Sequence, residues 1–175
     1  LTRPRSQAGD DRRIALDDSL DRLVGIGPKT AAVLANLGVR TVRDLLLHLP
    51  RRWEDRTRLT RLDEGPRAGD WILVRGRVAN PRVRRIRPRK LTMVDGVLAD
   101  DGGAIPVVWF NQPWIARRLS DDRAAFFYGQ VREGRGGRLQ LMNPEVEEDD
   151  GAAVGVVPVY PRLGPLGGRR VRKIV

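Results

Sequence analysis

Between residues 69 and 142, five strand-like apolar segments follow one another, with a single short helical segment between the third and the fourth. This order constrains the fold more than any other feature of the chain. WILVRGRVA alternates in part and suits a strand. NPRVRRIRPRK (80–90) reads as a basic loop, and LTMVDGVLA as a second strand with a bulge expected at Gly96. DDGG (100–103) is a hairpin turn and AIPVVWF a third strand. NQPWIARRL is a short helical or turn segment, AAFFYGQV a fourth strand, REGRGG a turn and RLQLM a fifth strand. That succession is the one expected of an OB-fold barrel.

The period is different upstream. Pro28 can open a helix, and Ala31, Leu34 and Leu37 give it one apolar face. Gly38 sits where a helix C-cap belongs. Thr41 begins TVRD, a capping-box-like pattern with Asp44 three residues on. Val42, Leu45, Leu46 and Leu49 form the next face, and Pro50 ends it. From Ile14, the spacing Ile14, Leu16, Leu20, Leu23 allows another short helix. The expected fold is α+β: an N-terminal helical hairpin region followed by a five-stranded OB-fold β-barrel. The expected domains are a flexible segment with a short helix (1–22), a helix-hairpin-helix-like region (23–68), an OB-fold domain (69–150) and a Pro- and Gly-rich linker (151–175). Leu is residue 1, Met93 and Met142 are internal, and an apolar helical face opens at Val171, Ile174 and Val175. The sequence is therefore expected to be part of a longer protein.

Charge then narrows the function. There are 33 Lys plus Arg against 22 Asp plus Glu, a net charge of +11, and 30 of the 33 cations are Arg. The four segments carry 0, +4, +2 and +5 in chain order. A balance of this kind points to a polyanionic partner, usually nucleic acid. There is no cysteine, which excludes disulfide scaffolds, Cys-ligated zinc and Cys nucleophiles. One histidine, His48, makes a His-rich metal site or a Ser-His triad improbable; it reads as a capping or packing residue at a helix end. No apolar run approaches ~18 residues, so no segment reads as a membrane span. No secretory signal is expected, because the first residues are charged and polar. A G-x-x-x-x-G-K-[ST] motif is absent, so this chain has no P-loop route to ATP hydrolysis.

Three groups of residues are candidates for contact with nucleic acid. Gly25-Ile26-Gly27 precedes a helix, an arrangement that aims backbone N–H groups at a phosphate, with Lys29 and Arg22 adding charge. A glycine turn that only lets two helices pack is the other reading. The segment 80–90 carries Arg82, Arg84, Arg85, Arg87, Arg89 and Lys90 with no acid among them. In an OB-fold that connection commonly helps to clamp nucleic acid, against the plainer reading of a solvated loop. Trp109, Phe110 and Trp114 place three of the nine aromatics within six residues, with Arg117 and Arg118 following. Alternation sends Trp109 and Phe110 to opposite faces, without deciding which is core. The outward one, with Trp114, makes a base-stacking platform; the alternative is that all three fill the barrel. The acidic run 145–150 suggests a metal-dependent nuclease less well than a solvated turn, since consecutive loop carboxylates rarely fix a metal.

The ordered set LVGIGPKTAAVLANLGVRTVRDLLLHLPRRWEDR, VVWFNQPWI, GQV…GRLQLMNPEVE and VPVYPRLGPLGGRRVRKIV resembles the wedge region of the RecG family of bacterial ATP-dependent DNA helicases, over about residues 20–175. The resemblance implies an OB domain that docks on a DNA branch point and splits parental from nascent strands. It also implies a downstream superfamily 2 motor that uses ATP and magnesium, with no cofactor in this chain. Its FN-x-x-aromatic motif implies stacking at the branch by Phe110 and Trp114. Relatives often carry Tyr or Phe where this chain has Trp114, and many carry His where it has Asn143.

The expected function is thus a module that binds branched DNA (stalled forks, Holliday junctions, displacement loops) and single strands in repair and recombination. It performs no covalent chemistry alone and acts with its own motor as a monomer, in the bacterial cytoplasm at the nucleoid. A standalone single-strand-binding OB protein and an RNA-binding OB protein are the alternatives. Arginine suits the role, because it stacks on bases as well as binding phosphate in a bidentate way.

Overall fold

The computed structural model describes residues 13–87, 91–119, 121, 123–134, 136–149 and 153–175. In chain order the elements are α1 (Pro28–Asn36), α2 (Val42–Leu46), β1 (Arg52–Arg56), β2 (Trp71–Ile86), β3 (Leu91–Ala99), β4 (Ala104–Phe110), α3 (Trp114–Arg118), β5 (Ala125–Glu133), β6 (Leu139–Glu148), β7 (Gly155–Val159) and α4 (Gly168–Ile174). Short 3-10 turns lie at Leu20–Arg22 and Leu62–Glu64. No helix among the described residues is long and apolar enough to cross a membrane. The chain divides into two compact units. One holds the described residues up to Trp53 with Pro158–Val175; the other is Glu54–Val157. β1 and β7 pair as a two-stranded sheet.

The second unit is the expected five-stranded barrel, closed in the order β2-β3-β4-β6-β5. All pairs are antiparallel except β4 with β6, which run parallel at Val107↔Leu141 and Val108↔Met142. Alternation along each strand sends Ile72, Val74, Val78, Val94, Leu98, Val107, Trp109, Phe127, Val131 and Leu141 into one core. Ile115 and Leu119 bring α3 into the same core. Asp100 closes the 100–103 turn, accepting the N–H groups of Gly102 and Gly103 at 2.8 Å each.

Two Asn-Pro bulges shape the barrel. Asn80 and Pro81 stand opposite Gly96, between the pairs Ala79↔Val97 and Arg82↔Asp95. Asn143 and Pro144 stand opposite Gly129, between Tyr128↔Glu145 and Gln130↔Met142. Both asparagines are left-handed, with φ of 52° and 46°, a conformation that asparagine tolerates better than most residues. Each faces a glycine for lack of room. A Cβ on Gly96 would lie 2.7 Å from Val78 Cγ1, and one on Gly129 3.0 Å from Pro144 Cα. The bulge expected at Gly96 is therefore present, but its extra residue is on the facing strand.

The barrel corrects two expectations. Residues 80–86 are not a loop: beyond the first bulge they continue β2, paired from Arg82↔Asp95 to Ile86↔Leu91. Arg84 also forms an ion pair with Asp95 of β3. Of the basic segment, Arg89 and Lys90 lie outside the described residues. Nor is the acidic run a turn. Glu145–Glu148 continue β6 against Ala125–Tyr128. Among the described residues, no group of three acidic, His or Cys side chains is placed to hold a metal.

The first unit closes around Leu20, Ile26, Leu34, Leu45, Leu163, Leu166 and Val171. α1 ends at Gly38 with Val39 N–H donating to Leu34 O at 3.0 Å and Gly38 N–H to Ala35 O at 3.1 Å. The Thr41–Asp44 capping box is formed. α2 is shorter than expected. Leu49 precedes Pro50, which disfavours helical backbone there, and Arg51 N–H already bonds Val159 O at 2.8 Å. Only Val42 and Leu45 of the expected face are buried; Leu46 and Leu49 are exposed. Residues 14–19 do not extend the turn at Leu20–Arg22, and Ile14 and Leu16 are exposed. Residues 1–12 of the segment expected to be flexible lie outside the described residues. The stretch read as a linker instead holds β7 and α4 and buries Leu163, Leu166 and Val171.

Asp44 accepts N–H bonds from Arg40 and Thr41 at 2.9 Å each. These hold its carboxyl below the ordinary carboxylate pKa. A carboxylate depressed in the folded state adds stability at neutral pH and loses it as pH falls through the carboxylate range. Thermal melting followed down a pH series is expected to show a smaller acid-induced fall for Asp44→Asn than for the parent chain.

Candidate nucleic-acid interface

The end of β4 settles which aromatic is core. Trp109 is fully buried, its Nε1–H donating to Pro144 O at 2.9 Å and its ring tilted against Phe127 at 6.4 Å. Phe110 therefore points to the other face of the strand and is half-buried. Trp114 opens α3 and is 60% exposed. Arg117 and Arg118 are exposed on the last turn of that helix, with Arg118 Nη2 3.8 Å from a Glu148 carboxylate oxygen.

Strand register brings the aromatic and basic candidates together. Phe110 pairs with Met93, and Met93 with Arg84, so the three share one face in one cross-strand row. Two strand spacings put Arg84 roughly 10 Å from Phe110 across the sheet. Arg82, paired with Asp95, occupies the neighbouring row on that face. Arg85 pairs with Thr92 and takes the opposite face. Arg87 is exposed just beyond β2. Arg84 forms an ion pair with Asp95 at 2.9 Å, with side-chain exposures of 56% and 27%. An exposed pair of this kind is worth about 0–1 kcal/mol, so a phosphate competes readily for the same guanidinium.

The hairpin at Gly25–Gly27 belongs to the first unit, and structural roles occupy much of it. Gly25 has φ of 93°, Ile26 is buried, and Gly27 is the N-cap of α1. Gly25 O accepts from Arg170 Nη2 at 2.6 Å, which ties the hairpin to α4. Lys29 is exposed, whereas Arg22 is paired with Asp18 at 2.5 Å. His48 stacks on Tyr160 at 6.3 Å, a packing role.

Sequence reasoning missed Arg56. It is 1% exposed on β1, its Nη2 donating to Glu54 at 2.5 Å and Glu145 at 2.9 Å, its Cζ 3.8 Å above the Tyr128 ring. Burial works against its charge, but the two carboxylates outweigh that and hold its pKa above the ordinary value. The available signal was the i, i+2 placement of Glu54 and Arg56 on one face of a strand. Trp71, 57% exposed and stacked on Tyr128, is another outward aromatic. Asp55, Glu64 and Asp70 line the same depression together with Arg58 and Arg67, so its charge is mixed.

Residues 21–175 match the RecG wedge domain. The chain belongs to the RecG wedge domain family. The ATP-dependent DNA helicase RecG of Escherichia coli K12 is 31% identical over 166 residues, covering 89% of this chain and 22% of that protein. RecG of Thermotoga maritima is 26% identical over 165 residues, 92% of this chain and 21% of its own length. A solved structure of RecG bound to a three-way DNA junction is similar over 93% of this chain and 22% of that one, with a TM-score of 0.77 and 25% identity. This wedge-family chain thus spans about a fifth of the length of the curated relatives it matches.

Proposed function

We propose that the chain is the branched-DNA-binding wedge of a RecG-like helicase. It docks on stalled forks, Holliday junctions and displacement loops, and separates strands while a motor outside this sequence moves the duplex. The row Phe110–Met93–Arg84 carries the reading, because it sets stacking surface and cation on one face, with the exposed Trp114 four residues on. Unstacking a base step costs a few kcal/mol, and an aromatic face offsets about 1–3 kcal/mol of that per base. Arg82, Arg84, Arg85 and Arg87, with Arg117 and Arg118, hold backbone phosphates of the arms, and Gly25, Gly27 and Lys29 serve as a secondary phosphate contact. ATP and magnesium act in the motor, and this chain contributes binding and geometry alone. It works as a monomer joined to that motor, in the cytoplasm at the nucleoid.

Competition binding among a three-way fork, a matched duplex and a matched single strand, at near-physiological salt, tests this. A preference for the fork is expected. Tight single-strand binding without it would favour a generic OB single-strand binder, and preference for structured RNA an RNA-binding one. Charge reversal of Arg84 and Arg85 to Glu is expected to weaken all DNA forms. It should also flatten the dependence of log K on log salt, by ~0.9 for each phosphate that is no longer neutralised. An unchanged slope would remove the β2–β3 arm from the interface.

A further inference from the structure

Phe110 stays in the β3–β4 ladder through Met93, but asparagines hold its other edge and the residue after it. The parallel ladder of β4 and β6 ends at Val108↔Met142. Beyond it, Phe110 N–H donates to the side chain of Asn143, to Oδ1 at 2.8 Å. The bulge of Asn143 and Pro144 across Gly129 turns that side chain toward β4. The next residue of the bulge holds Trp109, through the bond from its indole to Pro144 O. On the other side, Asn111 has φ of 57°. Its N–H donates to Thr92 O at 2.7 Å, and its Oδ1 accepts from Thr92 N–H at 3.3 Å.

We propose that Asn143 and Asn111 are positioning residues that present Phe110 to the DNA branch. Asparagine combines two properties needed at both places. It tolerates left-handed backbone, and its side-chain carbonyl replaces a missing backbone acceptor. With β3 gripping one flank and β6 the other, the Phe110 ring is set before DNA arrives, so binding spends little ordering entropy there. The inference rests on the stacking role proposed for Phe110.

A double-mutant cycle on the 175-residue chain tests it, read as fork affinity against matched duplex affinity. Asn143→Gly keeps the left-handed backbone and removes the acceptor. It is expected to lower fork affinity on the order of fivefold or more, to spare duplex affinity, and to have no further effect in a Phe110→Ala background. Asn143→Asp, which keeps the acceptor, is expected to restore the fork-to-duplex ratio. Asn111→Gly is the second probe and is expected to show the same dependence on Phe110. Equal loss on fork and duplex, or full additivity with Phe110→Ala for both glycine variants, would overturn the positioning role and leave the stacking reading standing. If Phe110→Ala itself leaves fork affinity intact, the stacking reading fails and this inference fails with it. Should Asn143→Gly not fold, as melting would show, the Asn111→Gly cycle decides.

Discussion

Phe110→Ala and Trp114→Ala are each expected to weaken binding to a three-way fork by roughly 5- to 150-fold, the equivalent of the ~1–3 kcal/mol that stacking of one base on an aromatic ring supplies. Matched duplex binding should change little, since a paired duplex presents no free base faces to either ring. The two effects have different origins. Trp114 is 60% exposed at the start of α3, so its removal takes away stacking surface and leaves the barrel unaltered. Phe110 is half-buried and sits beside Met93 and Arg84, so its truncation also loosens the face on which the cations stand. Isothermal or anisotropy titration of both single variants and the double variant checks this, with thermal melts run in parallel. Equal weakening on fork and duplex would mean that the rings are general packing groups and do not touch the branch. Weakening confined to the fork would place the branch at the β4–α3 corner.

What was legible in the sequence follows from local pattern. Strand alternation and turn residues mark the five barrel strands, and TVRD marks the capped start of α2, because these signals act within a few residues. Pairing decides what local pattern leaves open. Arg82–Ile86 looks like a loop in composition and becomes strand because β3 lies alongside to pair with it. Pro and Gly give residues 151–175 the look of a linker, yet Leu163, Leu166 and Val171 bury against residues far away in the chain. The alternation at Trp109 and Phe110 is symmetric in sequence, and the acceptor that Pro144 O offers the indole accompanies the burial of Trp109. Each Asn-Pro dipeptide signals a bulge only together with the glycine it faces on the neighbouring strand, which register and not local sequence supplies. Arg56 is the extreme case: one of its carboxylate partners lies 89 residues downstream.

Arg56→Ala is expected to destabilise the barrel unit by about 3–5 kcal/mol, the usual consequence of taking one member from a buried ionic cluster. The side chain is 1% exposed, against 13% and 26% for Glu54 and Glu145. Removing it takes a shared guanidinium from Glu54 and Glu145, and leaves a void over the Tyr128 ring that it covers. Its Nε and Nη1 have no hydrogen-bond acceptor among the described residues; contact with the aromatic face is what offsets part of their desolvation. Arg56→Lys keeps the charge but lacks a planar group able to fork to two acids and lie flat on tyrosine, so it should recover only part of the stability. Arg56→Met combined with Glu54→Gln and Glu145→Gln removes every charge at once and should recover more, because buried ion clusters often contribute little over an apolar replacement. Urea unfolding of the four chains ranks them directly. If Arg56→Ala unfolds at the same midpoint as the parent, the cluster is a bystander and β1 is held to the barrel by its other contacts. If the order is parent, triple variant, Lys, Ala, the charge at Arg56 stabilises the fold chiefly by answering the two acids, and its burial is tolerated because tyrosine lies beneath it.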